Sequence, residues 1–241
     1  LTHIEQERVQ YRVPTWNVGP LIAGSLAPVG DYLDIVSPAD PSVATGQVRI
    51  TTPADIKAAF DSARVWDAPV SERAAILNKV ADLYEENAIQ LFAILTREAG
   101  KCMPDCVAEL REAVDFLRYY AAQAINSDPT PRGTWVCISP WNFPLATPAW
   151  KIAPALAFGN AVVWKPANLT PASAAAMARI IAAQDLPPGL FNMLVGPGRE
   201  IGQRLVEHPG IDAISFTGSV EVGRGIAARA IANMTKVQAE M

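Results

Sequence analysis

An α/β fold on an open, mainly parallel sheet is the architecture this sequence predicts, and three observations predict it. From residue 133 to the end, short apolar runs alternate with helix-length segments. That alternation builds parallel strands joined by right-handed crossovers. Three of the runs stop at junctions of polar or small residues: Ser139-Pro140-Trp141-Asn142-Phe143-Pro144, Trp164-Lys165-Pro166-Ala167 and Phe216-Thr217-Gly218-Ser219. The carboxyl ends of strands are where an open α/β sheet binds its ligand. Finally, 241 residues that are 50% hydrophobic and 18% charged suffice for a sizeable core.

Residues 1–50 read as an irregular arm with one or two short strands, one of them at 47–50. Pro14, Gly19-Pro20, Gly24, Pro28, Gly30, Pro38 and Pro41 break any longer element. Residues 51–241 read as one domain, incomplete at its carboxyl end. Thr52-Pro53-Ala54-Asp55 starts a helix over 53–66, with Thr52 as cap and Asp55 three residues on. A second helix runs from 71 to the stop at Gly100. Ile76, Leu77, Val80, Leu83, Tyr84, Ala88, Leu91, Phe92 and Leu95 follow its three/four spacing. A third spans 104–125, with Leu110, Val114, Leu117 and Tyr120 on one face and Phe116 and Tyr119 read as packing residues. Strands follow at 134–138, 161–164, 191–195, 211–216 and 236–240. Helices follow at 144–158, 171–183, 200–207 and 220–232. Pro148 and Pro154 are the points where the first of these helices is expected to be interrupted. The chain opens on Leu1 and stops at Ala239-Glu240-Met241, so both ends read as cuts.

A net charge of −4 without a long basic run argues against an extended nucleic-acid surface. No apolar run approaches the roughly 20 residues of a membrane span, and no signal-peptide pattern opens the chain. Three cysteines, Cys102, Cys106 and Cys137, lack framework spacing, which suits a reducing, cytoplasmic compartment. Cys102 and Cys106 share a helix face, but His3 and His208 are distant, so no metal site is expected.

The strand-end junctions carry the candidate chemistry. Thr217-Gly218-Ser219 offers backbone N–H groups and a helix start, which suit a phosphate, although an ordinary strand–helix turn has the same composition. Gly223, one turn on, suits close helix packing. Lys165 ends an apolar strand; it either points into the crevice toward ribose or phosphate, or is solvated. Asn168 is neutral where many dinucleotide sites place a carboxylate on the ribose, which suits NADP as well as NAD. Asn142 is either a turn residue or an amide donor able to stabilise an oxyanion. Glu240 is either an edge-strand glutamate or a general base whose pKa burial raises.

Together and in this order, Ser139–Leu145, Lys165-Pro166-Ala167, Thr170-Pro171, Phe216–Ser219 and Ala239-Glu240-Met241 resemble the aldehyde dehydrogenase superfamily, from about Pro38 onward. The resemblance implies that residues 51–241 are a Rossmann-like NAD(P)-binding domain. The catalytic domain and oligomerisation strands then lie outside this sequence, and the full-length protein is a homo-oligomer. By the same resemblance Asn142 is the oxyanion donor and Glu240 the base that activates water for thioester hydrolysis. Lys165 binds the adenosine ribose, and Gly218 and Ser219 lie along the pyrophosphate beside Phe216. Gly202 lines the adenine pocket, and Ser139, Pro140 and Trp141 flank the nicotinamide end. The family usually has Glu at position 168, so Asn168 leaves NAD and NADP both open. Its nucleophilic cysteine is expected some tens of residues after Glu240, and none of the three cysteines here matches that motif.

Glu72–Leu77, Arg97-Glu98-Ala99-Gly100-Lys101, Glu109–Ala122 and Val136–Ala146 resemble the dehydrogenase module of proline utilization A proteins, which oxidise glutamate γ-semialdehyde. Thr147–Leu156, Trp164–Ala172, Ile214–Gly225 and Lys236–Met241 look more like dehydrogenases of α-ketoglutarate semialdehyde. Either substrate is a small aldehyde bearing a carboxylate. The rival reading is a cofactor-binding fragment without chemistry of its own.

Overall fold

Residues 2–10, 16–27, 30–127 and 130–241 are described in the computed structural model; Pro14 and Pro28, named above as breakers, lie outside them. The N-terminal segment is more ordered than its Pro and Gly content predicts. It forms α1 (Thr2–Gln10) and five short strands: β1 (Trp16–Val18), β2 (Leu21–Ile22), β3 (Ser25–Leu26), β4 (Tyr32–Val36) and β5 (Ala44–Arg49). β1, β5 and β4 make a small sheet in that order, and β2 and β3 join the edge of the main sheet. The breakers separate short strands rather than prevent them. Trp16, Val18, Leu21, Ile35 and Val48 pack into the same core as the helices that follow.

The capping box at Thr52 forms as expected. Thr52 Oγ1 accepts the Asp55 N–H, and the Asp55 carboxylate accepts the Thr52 N–H at 2.7 Å. Arg49 holds that carboxylate with two parallel bonds of 2.8 and 3.0 Å. The helix, α2 (Pro53–Ser62), ends four residues before the expected 66. The buried Arg73 guanidinium takes the carbonyls of Trp66, Ala68 and Ala157, and the Trp66 N–H bonds Gly159. Those partners fix residues 63–69 as an extended connection.

The expected long helix divides at Asn87 into α3 (Val70–Glu86) and α4 (Ala88–Ala99). The Asn87 side-chain amide donates to the Leu83 carbonyl at 2.8 Å, a local bond that competes with helix continuation. Gly100 ends α4 at φ +66°, the left-handed conformation that glycine adopts without Cβ strain. α5 (Met103–Ile125) then packs against α3 and against α6 (Ala146–Ala157). Pro154 lies inside α6 without ending it, and Pro148 sits near its first turn, where no intrahelical N–H bond is lost.

The main sheet contains β6 (Thr134–Ile138), β7 (Ala161–Lys165), β8 (Phe191–Met193), β9 (Ala213–Thr217) and β10 (Lys236–Glu240). Its order is β10-β9-β6-β7-β8-β2-β3, and the first five strands run parallel. Connections pass through α6, α7 (Pro171–Ala182), α8 (Gln203–Val206, entered by a π-helical turn at Gly198–Gly202) and α9 (Val220–Ala232). This is the open, parallel α/β sheet the alternation predicts.

Both faces of the sheet are covered. Cys137, Val162, Trp164 and Met193 pack with α3 to α7, whereas Val136, Ile138, Val163, Ile214 and Phe216 pack with α2, α8 and α9. That burial on both sides is why the strands read as apolar runs rather than clean alternation. Register decides what reaches the carboxyl edge. Ile138 pairs with Lys165 on one side and Phe216 on the other, and Glu240 pairs with Thr217.

Candidate functional site

A cavity of about 650 Å³ opens at the carboxyl edge of β6, β7 and β9, between the start of α9 and the π-helical turn before α8. Ser139, Lys165, Asn168, Gly202, Phe216, Gly218 and Ser219 all line it. Residues from four separate chain segments therefore converge at one crevice.

Lys165 is the buried charged residue of this lining, where Arg199, Glu221 and Arg229 are exposed. Its side chain is buried (5% exposed), and Nζ donates to the Pro166 carbonyl at 2.9 Å. Burial alone pulls its pKa down to about 8 from an ordinary value near 10.5. Thr217 Oγ1 is buried in the same lining with no hydrogen-bond partner among the described residues. A methyl group at Gly218 would sit 2.6 Å from the Phe216 ring, so only glycine lets this turn close over that ring. Ser219 Oγ accepts the Val222 N–H at 3.4 Å and caps α9, leaving other first-turn N–H groups facing the crevice end. Ser139 Oγ accepts the Trp164 indole N–H at 3.0 Å. Gly202 has open space where a side chain would stand.

A buried ammonium without a counter-charge, an orphan hydroxyl and a helix N-terminus suit an anionic, hydroxyl-rich ligand. A nicotinamide dinucleotide has those groups. At the rim, Asn168 is exposed and uncharged, and the exposed Arg199 belongs to the same lining. Sequence reasoning missed Arg199; the basic residue straight after Gly196-Pro197-Gly198, opening a helix, was the available signal.

The remaining predicted residues lie outside this lining. Pro140, Trp141 and Asn142 form the loop between β6 and α6, where Trp141 and Asn142 are exposed. The Asn142 carbonyl accepts a 2.9 Å bond from Lys101 Nζ, which also lies 4.2 Å above the Phe143 ring. Glu240 ends the edge strand β10, and its backbone carbonyl accepts the Gly218 N–H at 3.2 Å. Its side chain is exposed, so the described residues do not build a low-dielectric surrounding for it.

Lys151 is a second residue that sequence reasoning missed. It lies on α6 against the opposite face of the sheet, 3% exposed, beside a cavity of about 570 Å³ lined by Trp150, Trp135, Tyr119 and Tyr120. Nζ donates to Ser215 Oγ at 3.1 Å, and Ser215 donates to Gln238 at 2.7 Å. Burial pulls Lys151 down to about 8, an effect that the Glu240 charge opposes. A lone lysine within the apolar stretch Trp150–Leu156 was the available signal. None of the three cysteines is paired in a disulfide. Burial pushes the Cys137 thiol up to about 12 and raises Cys106, the reverse of what activates a thiolate.

Residues 27–241 match the aldehyde dehydrogenase family. The bifunctional protein PutA of Escherichia coli is 44% identical over 227 residues, covering 89% of this chain and 17% of that protein. The alpha-ketoglutaric semialdehyde dehydrogenase of Bacillus subtilis is 36% identical over 233 residues, covering 88% of this chain and 48% of the relative. Among solved structures, a 1-pyrroline-5-carboxylate dehydrogenase from Thermus with bound NAD superimposes with a TM-score of 0.87. It is 30% identical, and the match covers 99% of this chain and 51% of that one. The chain thus spans about half, or much less, of the length of these proteins.

Proposed function

The chain belongs to the aldehyde dehydrogenase family, and we propose that residues 1–241 are the cofactor-binding half of an NAD(P)-dependent aldehyde dehydrogenase. The observation that carries this reading is the crevice that joins Lys165, Thr217 and the start of α9. Lys165 donates to the adenosine ribose hydroxyls, and its charge, buried without a carboxylate, favours the adjoining phosphates. The first turn of α9, with Ser219, holds the pyrophosphate. Gly202 leaves room for the adenine, and Ser139, Pro140 and Trp141 border the nicotinamide end. When bound, the nicotinamide supplies the hydride acceptor. The neutral Asn168 and the nearby Arg199 support acceptance of a 2′-phosphate, hence NADP alongside NAD.

Asn142 is the amide that donates to the aldehyde oxygen as negative charge builds on it. Glu240 accepts the proton of the water that hydrolyses the acyl-thioester. The thiolate nucleophile comes from outside residues 1–241, as does the packing that buries Glu240. We place the protein in proline catabolism, oxidising glutamate γ-semialdehyde to glutamate, because of its likeness to PutA and to a 1-pyrroline-5-carboxylate dehydrogenase. The similarity to an alpha-ketoglutaric semialdehyde dehydrogenase supports the alternative, in which the substrate is α-ketoglutarate semialdehyde. The full-length enzyme is proposed to be a homo-oligomer. Among the described residues no helix is long and apolar enough to cross a membrane.

The test is reduced-nicotinamide formation by the full-length protein, with each aldehyde and with NAD and NADP separately. A kcat/KM at least tenfold higher for glutamate γ-semialdehyde is expected. Preference for the keto-acid aldehyde would reassign the substrate. Binding of the cofactor without turnover of any aldehyde would leave only the non-catalytic reading.

A further inference from the structure

The segment Arg97–Lys101 carries a family resemblance but no role in the crevice as described so far. Its side chains reach both loops that frame the site. Gly100, at φ +66°, reverses the chain after α4 and presents Lys101 to the loop after β6. Lys101 Nζ donates to the Asn142 carbonyl at 2.9 Å and pairs with Glu109, a fully buried carboxylate on α5. Glu109 accepts the N–H groups of Leu145 and Ala146 at 2.7 and 3.2 Å through its other oxygen. One ion pair therefore grips the loop at both ends, by a carbonyl at residue 142 and by two N–H groups at 145 and 146. Three residues before Lys101, Glu98 holds the first turn of α7, accepting the N–H groups of Ala172 and Ser173 and the Ser173 hydroxyl.

We propose that Lys101 and Glu109 are positioning residues that hold Asn142 in place by clamping its loop, an inference that rests on the oxyanion role proposed above for Asn142. The Asn142 side chain is exposed and has no hydrogen-bond partner among the described residues, so the loop backbone alone sets where its amide is anchored. The only polar side-chain atoms bonded to that backbone between 141 and 146, among the described residues, belong to this pair. Placement errors of about 1 Å at a reacting centre lower rates by about 10²-fold. Glu109 also holds the start of α6, and loss of Lys101 leaves it a buried charge without its partner, so positioning has to be read from more than stability.

The experiment is a double-mutant cycle in the full-length enzyme with Lys101→Met and Asn142→Ala, read as kcat and KM, with hydrogen exchange of peptides spanning 140–146. Lys101→Met is expected to lower kcat about 10- to 100-fold, with aldehyde KM and cofactor Kd within about twofold. Added to Asn142→Ala it should slow turnover no further, because its effect passes through that amide. Exchange at 140–146 should accelerate while peptides in the middle of α5 stay unchanged. Wild-type kcat in Lys101→Met overturns the proposal, and so do rate losses that multiply in the double mutant. If Lys101→Met does not fold, Glu109→Gln enters the same cycle with the same expectations, since it keeps an oxygen for Leu145 and Ala146 but releases Lys101. The exchange readout separates the two levels of argument. Unchanged exchange at 140–146 refutes the clamp whether or not the enzyme turns over. An Asn142→Ala enzyme with undiminished kcat refutes the oxyanion role even where exchange shows the clamp intact.

Discussion

Lys165 concentrates a conflict between folding and binding in one side chain. Its ammonium is buried among apolar strands with a single backbone carbonyl as acceptor. An uncompensated buried charge destabilises the ligand-free protein. Lys165→Met preserves the length and apolar character of the side chain while removing the charge. We expect the ligand-free variant to be more stable at pH 7, by on the order of 1–3 kcal/mol. Its cofactor Kd should rise at least tenfold, as charge-assisted hydrogen bonds are each worth about 1.5–3 kcal/mol. Urea unfolding and a cofactor titration on the same preparation measure the two effects. A variant that loses stability and keeps its affinity would show that Lys165 serves packing alone.

Among the elements, the junction of β9 and α9 shows how local geometry becomes a binding surface. Gly218 lies against the Phe216 ring, and Gly223 one turn later lies against the same ring and Met241. The ring is 3% exposed and has little room to retreat. Gly218→Ala should push it off its position, at about 1–3 kcal/mol in stability, and tilt the first turn of α9 away from the crevice. The expected result is a lower thermal midpoint together with weaker cofactor binding. Unchanged affinity in a destabilised variant would detach the turn from ligand binding. The π-helical turn at Gly198–Gly202 is the second irregular element at this crevice, and it brings Arg199 into the lining that also holds Asn168.

For the molecule as a whole, buried titratable groups shape the alkaline limb of its stability. Lys151 and Lys165 are both pulled to about 8 from ordinary values near 10.5. Between those limits the unfolded chain binds more protons than the folded one, so stability rises with pH. Cys137 is pushed to about 12, and Cys106 is raised, from ordinary values of 9.0; Tyr84 is raised from 10.0. These groups ionise in the unfolded chain first, so they lower stability above pH 9 for the thiols and above pH 10 for the phenol. Stability should therefore rise by roughly 1 kcal/mol from pH 8 to 9, level off to about pH 10, then fall. Urea midpoints at pH 8, 9 and 11 under reducing conditions check this. A midpoint that falls steadily from pH 8 would mean that the two lysines are not buried as charges.

The sequence by itself determined the main sheet and most of its helices. Apolar runs of strand length and three/four spacing are local signals, and local signals survive without knowledge of the fold. Strands 134–138 and 236–240 and helix 220–232 coincide with β6, β10 and α9. The capping box at Thr52 was legible for the same reason. The candidate residues at the strand ends were legible because topology forces strand termini of a parallel sheet to one edge. Other features depended on partners distant in the chain. The arm's strands exist because β5 pairs with β1 and β4, and because β2 reaches Met193. The early end of α2 depends on Arg73 and Gly159, and the crevice acquires Arg199 only through the turn before α8. Nothing in the spacing of Lys101, Glu109 and Asn142 announces that they meet. A turn, a helix and a loop must first pack together, and only then does one buried ion pair reach both ends of the loop.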